Sequence, residues 1–128
     1  CRSFKERDTK TKNQSKTLFL GGEVKNKTAI IVDDMIDTAG TMVNASSMLK
    51  KEGANKIIIC ATHGLFSGNA PENIADSVIH SIYCTDTLPL DETIIKNKKV
   101  RVVSVAPLLA EAVEKTFKGE SLGKDLIL

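Results

Sequence analysis

Four short runs of apolar residues constrain this chain most: Thr28–Val32, Ile57–Ala61, Val78–Cys84 and Val100–Val105. None approaches the roughly 18 apolar residues that a membrane-spanning helix needs. Runs with little polar alternation are what a strand needs when both its faces are covered, as in a parallel sheet. Helical spacing appears between and after them. Met42, Ala45, Met48 and Leu49 recur with polar residues between, and Leu108, Leu109, Ala112, Val113, Thr116 and Phe117 form a second stripe. The spacing predicts helices near 41–52 and 107–118. Thr41 is a candidate cap for the first, Gly53 and Gly119 are stops, and Pro107 sits near the start of the second. A shorter helix is predicted over 71–76, and Leu18-Phe19-Leu20 reads as a short strand ended by Gly21-Gly22. Repeated strand–helix–strand units predict an α/β fold, a mainly parallel sheet flanked by helices on both faces.

Composition narrows the function. At 128 residues the chain is one domain or a piece of a larger one. Cys1, Cys60 and Cys84 give neither a disulfide framework nor zinc-site spacing, and two histidines exclude a histidine-rich metal site. Aromatics at 4% argue against a stacking platform for single-stranded nucleic acid. Neither a nucleic-acid nor a membrane partner is expected. The net charge of +2 is front-loaded: residues 1–17 carry six basic and two acidic side chains. Such an excess suits an anionic ligand or a basic tail, and 1–17 reads as a loop, a flap or a severed connection. The first residues lack the apolar core of a signal peptide, and there is no initiating Met. A fragment is therefore expected, cytoplasmic unless an organellar address precedes it.

The chemistry concentrates in Val32-Asp33-Asp34-Met35-Ile36-Asp37-Thr38-Ala39-Gly40-Thr41. Read as a loop at the carboxyl end of a strand, feeding a helix N-terminus, it would lie at the crevice where open α/β sheets bind ligands. Gly40 would let the backbone approach a ligand closely. Amides of residues 38–41, the helix dipole and the hydroxyls of Thr38 and Thr41 suit a phosphate. Asp33 and Asp34 are acceptors, suited to a sugar diol or a hydrated cation. Together they fit a sugar phosphate. The plainer reading is an Asx-rich turn with a Thr cap. Neither the Walker A nor the Gly-x-Gly-x-x-Gly spacing is present.

This segment resembles the phosphoribosyl pyrophosphate loop of type I phosphoribosyltransferases. Further resemblance extends over nearly the whole chain: Lys5-Glu6-Arg7, Ala61-Thr62-His63-Gly64-Leu65-Phe66-Ser67-Gly68, Leu109-Ala110-Glu111-Ala112 and Gly119-Glu120-Ser121 occur in the order found in the C-terminal half of the ribose-phosphate pyrophosphokinase family. The resemblance implies transfer of pyrophosphate from Mg-ATP to ribose 5-phosphate, with AMP as the other product. It implies that Lys5 and Arg7 are the catalytic pair of a flexible loop within 1–17, neutralising charge on the transferred phosphates. It implies that Asp33 and Asp34 face the ribose hydroxyls, while Asp37, Thr38, Ala39, Gly40 and Thr41 cradle the 5-phosphate. The domain would span 18–128, with the N-terminal domain, the nucleotide site and the principal Mg2+ ligands outside this chain. A self-associating parent is implied, since a neighbouring subunit contributes to the family's ATP site. The alternatives are a purine or pyrimidine phosphoribosyltransferase, a non-catalytic regulatory subunit, and a phosphate-sensing module without chemistry. Duller roles remain beside these: Lys5 and Arg7 as solvated charges, His63 as a loop histidine with a local hydrogen bond, Ser67-Gly68 as a tight turn or an effector or subunit contact, and Met42 and Met48 as core filler.

Overall fold

A computed structural model describes residues 2–7, 15–21 and 23–123, the first two stretches as backbone alone. The β-branched runs form four parallel strands: β3 (Thr28–Ile36), β4 (Lys56–Gly64), β5 (Ser81–Thr85) and β6 (Val100–Val103), hydrogen-bonded in that order. Ile31 lies opposite Ile59, Ile59 opposite Ile82, and Ile82 opposite Val100, so one row of side chains crosses the whole sheet. Ahead of them, β1 (Arg2–Arg7) and β2 (Ser15–Gly21) pair antiparallel in a separate two-stranded sheet. Strands thus occupy much of what composition suggested was a loop over 1–17, and β2 runs through the 17/18 boundary.

The connecting helices are α1 (Gly40–Lys51), α2 (Ala70–Ala75) and α3 (Glu92–Ile95), and α4 (Ala106–Lys118) follows the last strand. Gly53, at φ 88°, stops the chain after α1, and Gly119, at φ 68°, is the left-handed cap of α4. Pro107 lies in the first turn of α4. No helix among the described residues is long and apolar enough to cross a membrane.

Strand order has a consequence that periodicity does not carry. Parallel strands taken in sequential order with right-handed crossovers place every connecting helix on one face. That face holds the core, where Met42 of α1, Ile74 of α2 and Ile94 of α3 meet Ile59, Ile82 and Cys84. A smaller cluster of Val24, Leu49, Ala54 and Ile57 closes its lower end. The opposite face stays open: Ile30 is 62% and Val32 76% exposed, and Tyr83 is exposed too. The expected cover on both faces is therefore absent among the described residues. Nor does α4 supply it, for its stripe of Leu108, Leu109, Val113 and Phe117 is exposed and none of its residues is buried.

Two sequence-predicted ends also move. Strand β3 does not stop at the aspartates but continues through Asp33, Asp34 and Met35 to Ile36, paired with β4. Thr41 is not the cap of α1. Ala39 occupies that position, with φ 61° and no side-chain capping bond.

Candidate functional site

The carboxyl ends of β3 and β4 lie side by side, each leading into a helix. After β3 only Asp37, Thr38 and Ala39 intervene before α1 begins at Gly40. Ala39 takes the left-handed conformation although it is not glycine, a backbone state that costs roughly 1–2 kcal/mol. Its side chain is buried in the main core, which helps hold the turn in place. The turn makes a change of hand just ahead of the helix, and successive amides in such a turn form an anion-binding concavity.

Carbonyl partners orient this turn. Ile36 O accepts from Leu65 N at 2.9 Å and Phe66 N at 3.2 Å, and Asp37 O accepts from Ser67 N at 3.0 Å. Thr38 O accepts from Asn73 Nδ2 at 3.2 Å, and Ala39 O accepts from Val43 N at 2.9 Å. By contrast, the first amides of α1 have no acceptor one turn back within the helix, and among the described residues no backbone bond ends on the N–H of Thr38, Ala39, Gly40 or Thr41. A Cβ built at Gly40 would meet nothing nearer than Thr38 Oγ1, at 3.8 Å. The loop mouth at Gly40 is thus open, and the fold itself does not demand glycine there.

Of the sequence-predicted residues, Asp37, Thr38, Ala39, Gly40 and Thr41 form one continuous turn and helix start. Asp33 and Asp34 stand at the end of β3, on the strand instead of the loop. Alternation along the strand sends them to opposite faces: Asp33 is half-buried on the helix-covered side and Asp34 is exposed on the open side. The Asp34 amide donates to Asp33 Oδ1 at 3.0 Å. For Lys5 and Arg7 the backbone lies opposite Thr17 and Ser15, and their side chains are outside the described residues.

The β4–α2 segment is the buttress. Phe66 is buried and has φ 52°, its ring folded back over Gly64, where a Cβ would fall 2.3 Å from Phe66 Cε2. That explains Gly64 by packing. Ser67 braces Asp37 through its amide. His63 belongs to strand β4, not to a loop, and its Nδ1 lies 2.8 Å from Thr87 Oγ1 on the segment after β5. Thr85 Oγ1 donates to Thr62 O at 2.6 Å beside it. Asp86 ties the end of β5 to the start of α4: it accepts from Val105 N at 2.9 Å, and hydrogen bonds from the Ser104 hydroxyl and that amide hold its carboxyl below the usual range. Sequence reasoning missed Asn73 altogether. An exposed Asn in a six-residue helix carries no periodic signal, and its partner lies 35 residues away.

Comparisons with known proteins bear on this geometry. A family profile described as phosphoribosyl synthetase-associated domain matches residues 4–126. A ribose-phosphate pyrophosphokinase of Aquifex aeolicus is 44% identical over 110 residues, covering 86% of this chain and 35% of that protein. The protein of the same name from Caldanaerobacter subterraneus is 47% identical over 112 residues, with 88% and 35% covered. The crystal structure of phosphoribosylpyrophosphate synthetase from Mycobacterium smegmatis superimposes with a TM-score of 0.75 at 36% identity, covering 91% of this chain and 37% of that one. The chain spans about a third of the length of the curated relatives it matches.

Proposed function

This chain belongs to the phosphoribosyl synthetase-associated domain family and has a type I phosphoribosyltransferase-like fold, and on that premise we propose that it supplies the ribose 5-phosphate side of a ribose-phosphate pyrophosphokinase. The observation that carries the proposal is the turn Asp37–Thr41: the carbonyls of Asp37, Thr38 and Ala39 are taken by protein donors, while among the described residues the amides of 38–41 carry no backbone bond. In this reading the amides of residues 38–41 and the α1 dipole hold the 5-phosphate, and Thr38 or Thr41 adds a hydroxyl. Asp33 or Asp34 accepts from the sugar hydroxyls. With the phosphate end fixed, the anomeric hydroxyl is held for in-line attack on the β-phosphorus of ATP. Lys5 and Arg7 then stabilise charge on the transferring group.

Magnesium accompanies ATP in this reaction and offsets phosphate charge. Among the described residues, no group of three or more His, Cys, Asp or Glu side chains could hold it. Self-association of the complete protein belongs to the same reading. Sedimentation of the complete polypeptide should show an oligomer, and a fully active monomer contradicts that part.

The test of activity is AMP release from Mg-ATP that depends on ribose 5-phosphate. The complete polypeptide containing these residues should turn over, and the 128 residues alone should show negligible rate. Release that needs no ribose 5-phosphate would contradict the proposed transfer, and ligand binding without any turnover by the complete polypeptide would instead favour a phosphate-sensing module.

A further inference from the structure

Four successive carbonyls, from Ile36 to Ala39, find acceptor roles in one continuous row. Backbone amides hold three of them, and those bonds persist whatever the side chains are. Only the Thr38 carbonyl depends on a side chain, Asn73 Nδ2 at 3.2 Å. No peptide among the described residues is cis, so the carbonyl of Thr38 and the amide of Ala39 point in opposite directions within one planar unit. A hydrogen bond that draws the carbonyl toward α2 therefore aims the Ala39 N–H away from α2.

The Thr38–Ala39 peptide has a backbone reason to turn over, the positive φ at Ala39. Rotating it would relieve the left-handed φ of 61° at Ala39 and would swing the Ala39 amide out of line with those of Gly40 and Thr41. Asn73 opposes that rotation, and its own helix is well anchored. Ala70 and Ile74 are fully buried. Lys99 Nζ donates to Ile74 O at 3.0 Å, Ala75 O at 2.8 Å and Ser77 O at 2.8 Å, pinning the carboxyl end of α2. A donor on a fixed helix can set a backbone orientation in a way that a donor on a loose loop cannot.

We propose that Asn73 is a positioning residue for the anion cradle: by fixing the Thr38–Ala39 peptide it keeps the Ala39 amide aimed at the phosphate group of the ligand. The proposal rests on the reading of Asp37–Thr41 as the ribose 5-phosphate cradle. Asn73 touches the loop backbone and acts through it.

The test compares wild type, Asn73→Leu and Asn73→Gln in the complete polypeptide, with inorganic phosphate and ribose 5-phosphate as probes. Leu matches Asn in size and adds no charge that would repel the anion, and Gln keeps the donor on a longer arm. Asn73 is exposed, so thermal unfolding should shift little in either variant. Asn73→Leu is expected to weaken both ligands about fivefold, as suits one neutral hydrogen bond, with Asn73→Gln recovering part of the loss. In 1H–15N spectra the shift of the Ala39 amide on phosphate addition should shrink in Asn73→Leu. If wild type binds both probes and Asn73→Leu binds them equally well with the same Ala39 shift, the inference is overturned while the cradle stands. If wild type binds neither probe, the cradle reading itself fails and the inference with it.

Discussion

Two loops leave the same edge of the sheet from adjacent parallel strands, and they are built for opposite ends. The β4–α2 loop closes on itself: Phe66 is buried over Gly64, and its amides are spent on the neighbouring turn. The β3–α1 loop is held through its carbonyls and the buried Ala39. A Cβ at Gly40 would meet only Thr38 Oγ1, at 3.8 Å, and amides 38–41 make no backbone bond among the described residues. Both contain a non-glycine residue at positive φ, Phe66 at 52° and Ala39 at 61°. Equal position and similar backbone strain thus serve different tasks. In one loop the positive φ accompanies a buried aromatic ring, and in the other a buried methyl beside amides that the protein backbone leaves unbonded. Backbone strain alone therefore does not separate the two loops; the polar groups left unbonded do.

Substitutions can break this contrast, beginning with the largest effect. Phe66→Ala removes a buried ring and should cost about 3–5 kcal/mol of stability, read from denaturant unfolding. A loss below about 1 kcal/mol would mean the buttress is not packed as described. Next, Gly64→Ala forces a methyl against the Phe66 ring and should cost about 1–3 kcal/mol. An unchanged unfolding midpoint would count against that contact. The smallest effect belongs to Asp86, which is exposed. Its folded-state pKa lies below its unfolded value, so its contribution is present above the unfolded pKa of about 3.9. That contribution fades as pH falls through the folded value. Asp86→Asn should therefore lower the unfolding temperature slightly at neutral pH, and the gap from wild type should close in strong acid. A gap that widens in acid would reverse the sign and remove the link to Val105.

Much of the sheet was legible because β-branched runs such as Ile57–Ile59 have few other uses. The turn Asp37–Thr41 was legible as a strand-to-helix connection because Thr, Ala and Gly lead into the apolar stripe of α1. The true end of β3 was not, since Asp33 and Asp34 have low strand propensity and are kept in register by pairing with β4. Helix α3 was missed for its brevity, although Asp91 caps it by accepting from Thr93 N at 2.8 Å. Helix α4 teaches a further limit. Its apolar stripe identified the helix and the side that seeks cover, but Phe117 is 93% exposed. Periodicity shows that a face wants a partner and does not show that these residues provide one. Sequential strand order decided the matter, and strand order is written in no local window. The pairing of β1 with β2 was hidden for a related reason: Leu18-Phe19-Leu20 marks a strand, but the mostly polar, basic β1 carries no signal of which strand it will meet.

Titration calorimetry on the complete polypeptide tests the central claim most directly, with ribose 5-phosphate and inorganic phosphate measured against wild type, Gly40→Val and Asp34→Ala. Because a Cβ at Gly40 has room in the fold, Gly40→Val should unfold near the wild-type temperature yet weaken both ligands, its side chain filling the space the phosphate needs. Asp34→Ala should weaken ribose 5-phosphate by roughly 1.5–3 kcal/mol, the loss of one charged-group hydrogen bond, and leave inorganic phosphate nearly unchanged. Full ribose 5-phosphate affinity in both variants, with the fold intact, would show that Asp33–Thr41 is not the sugar-phosphate site.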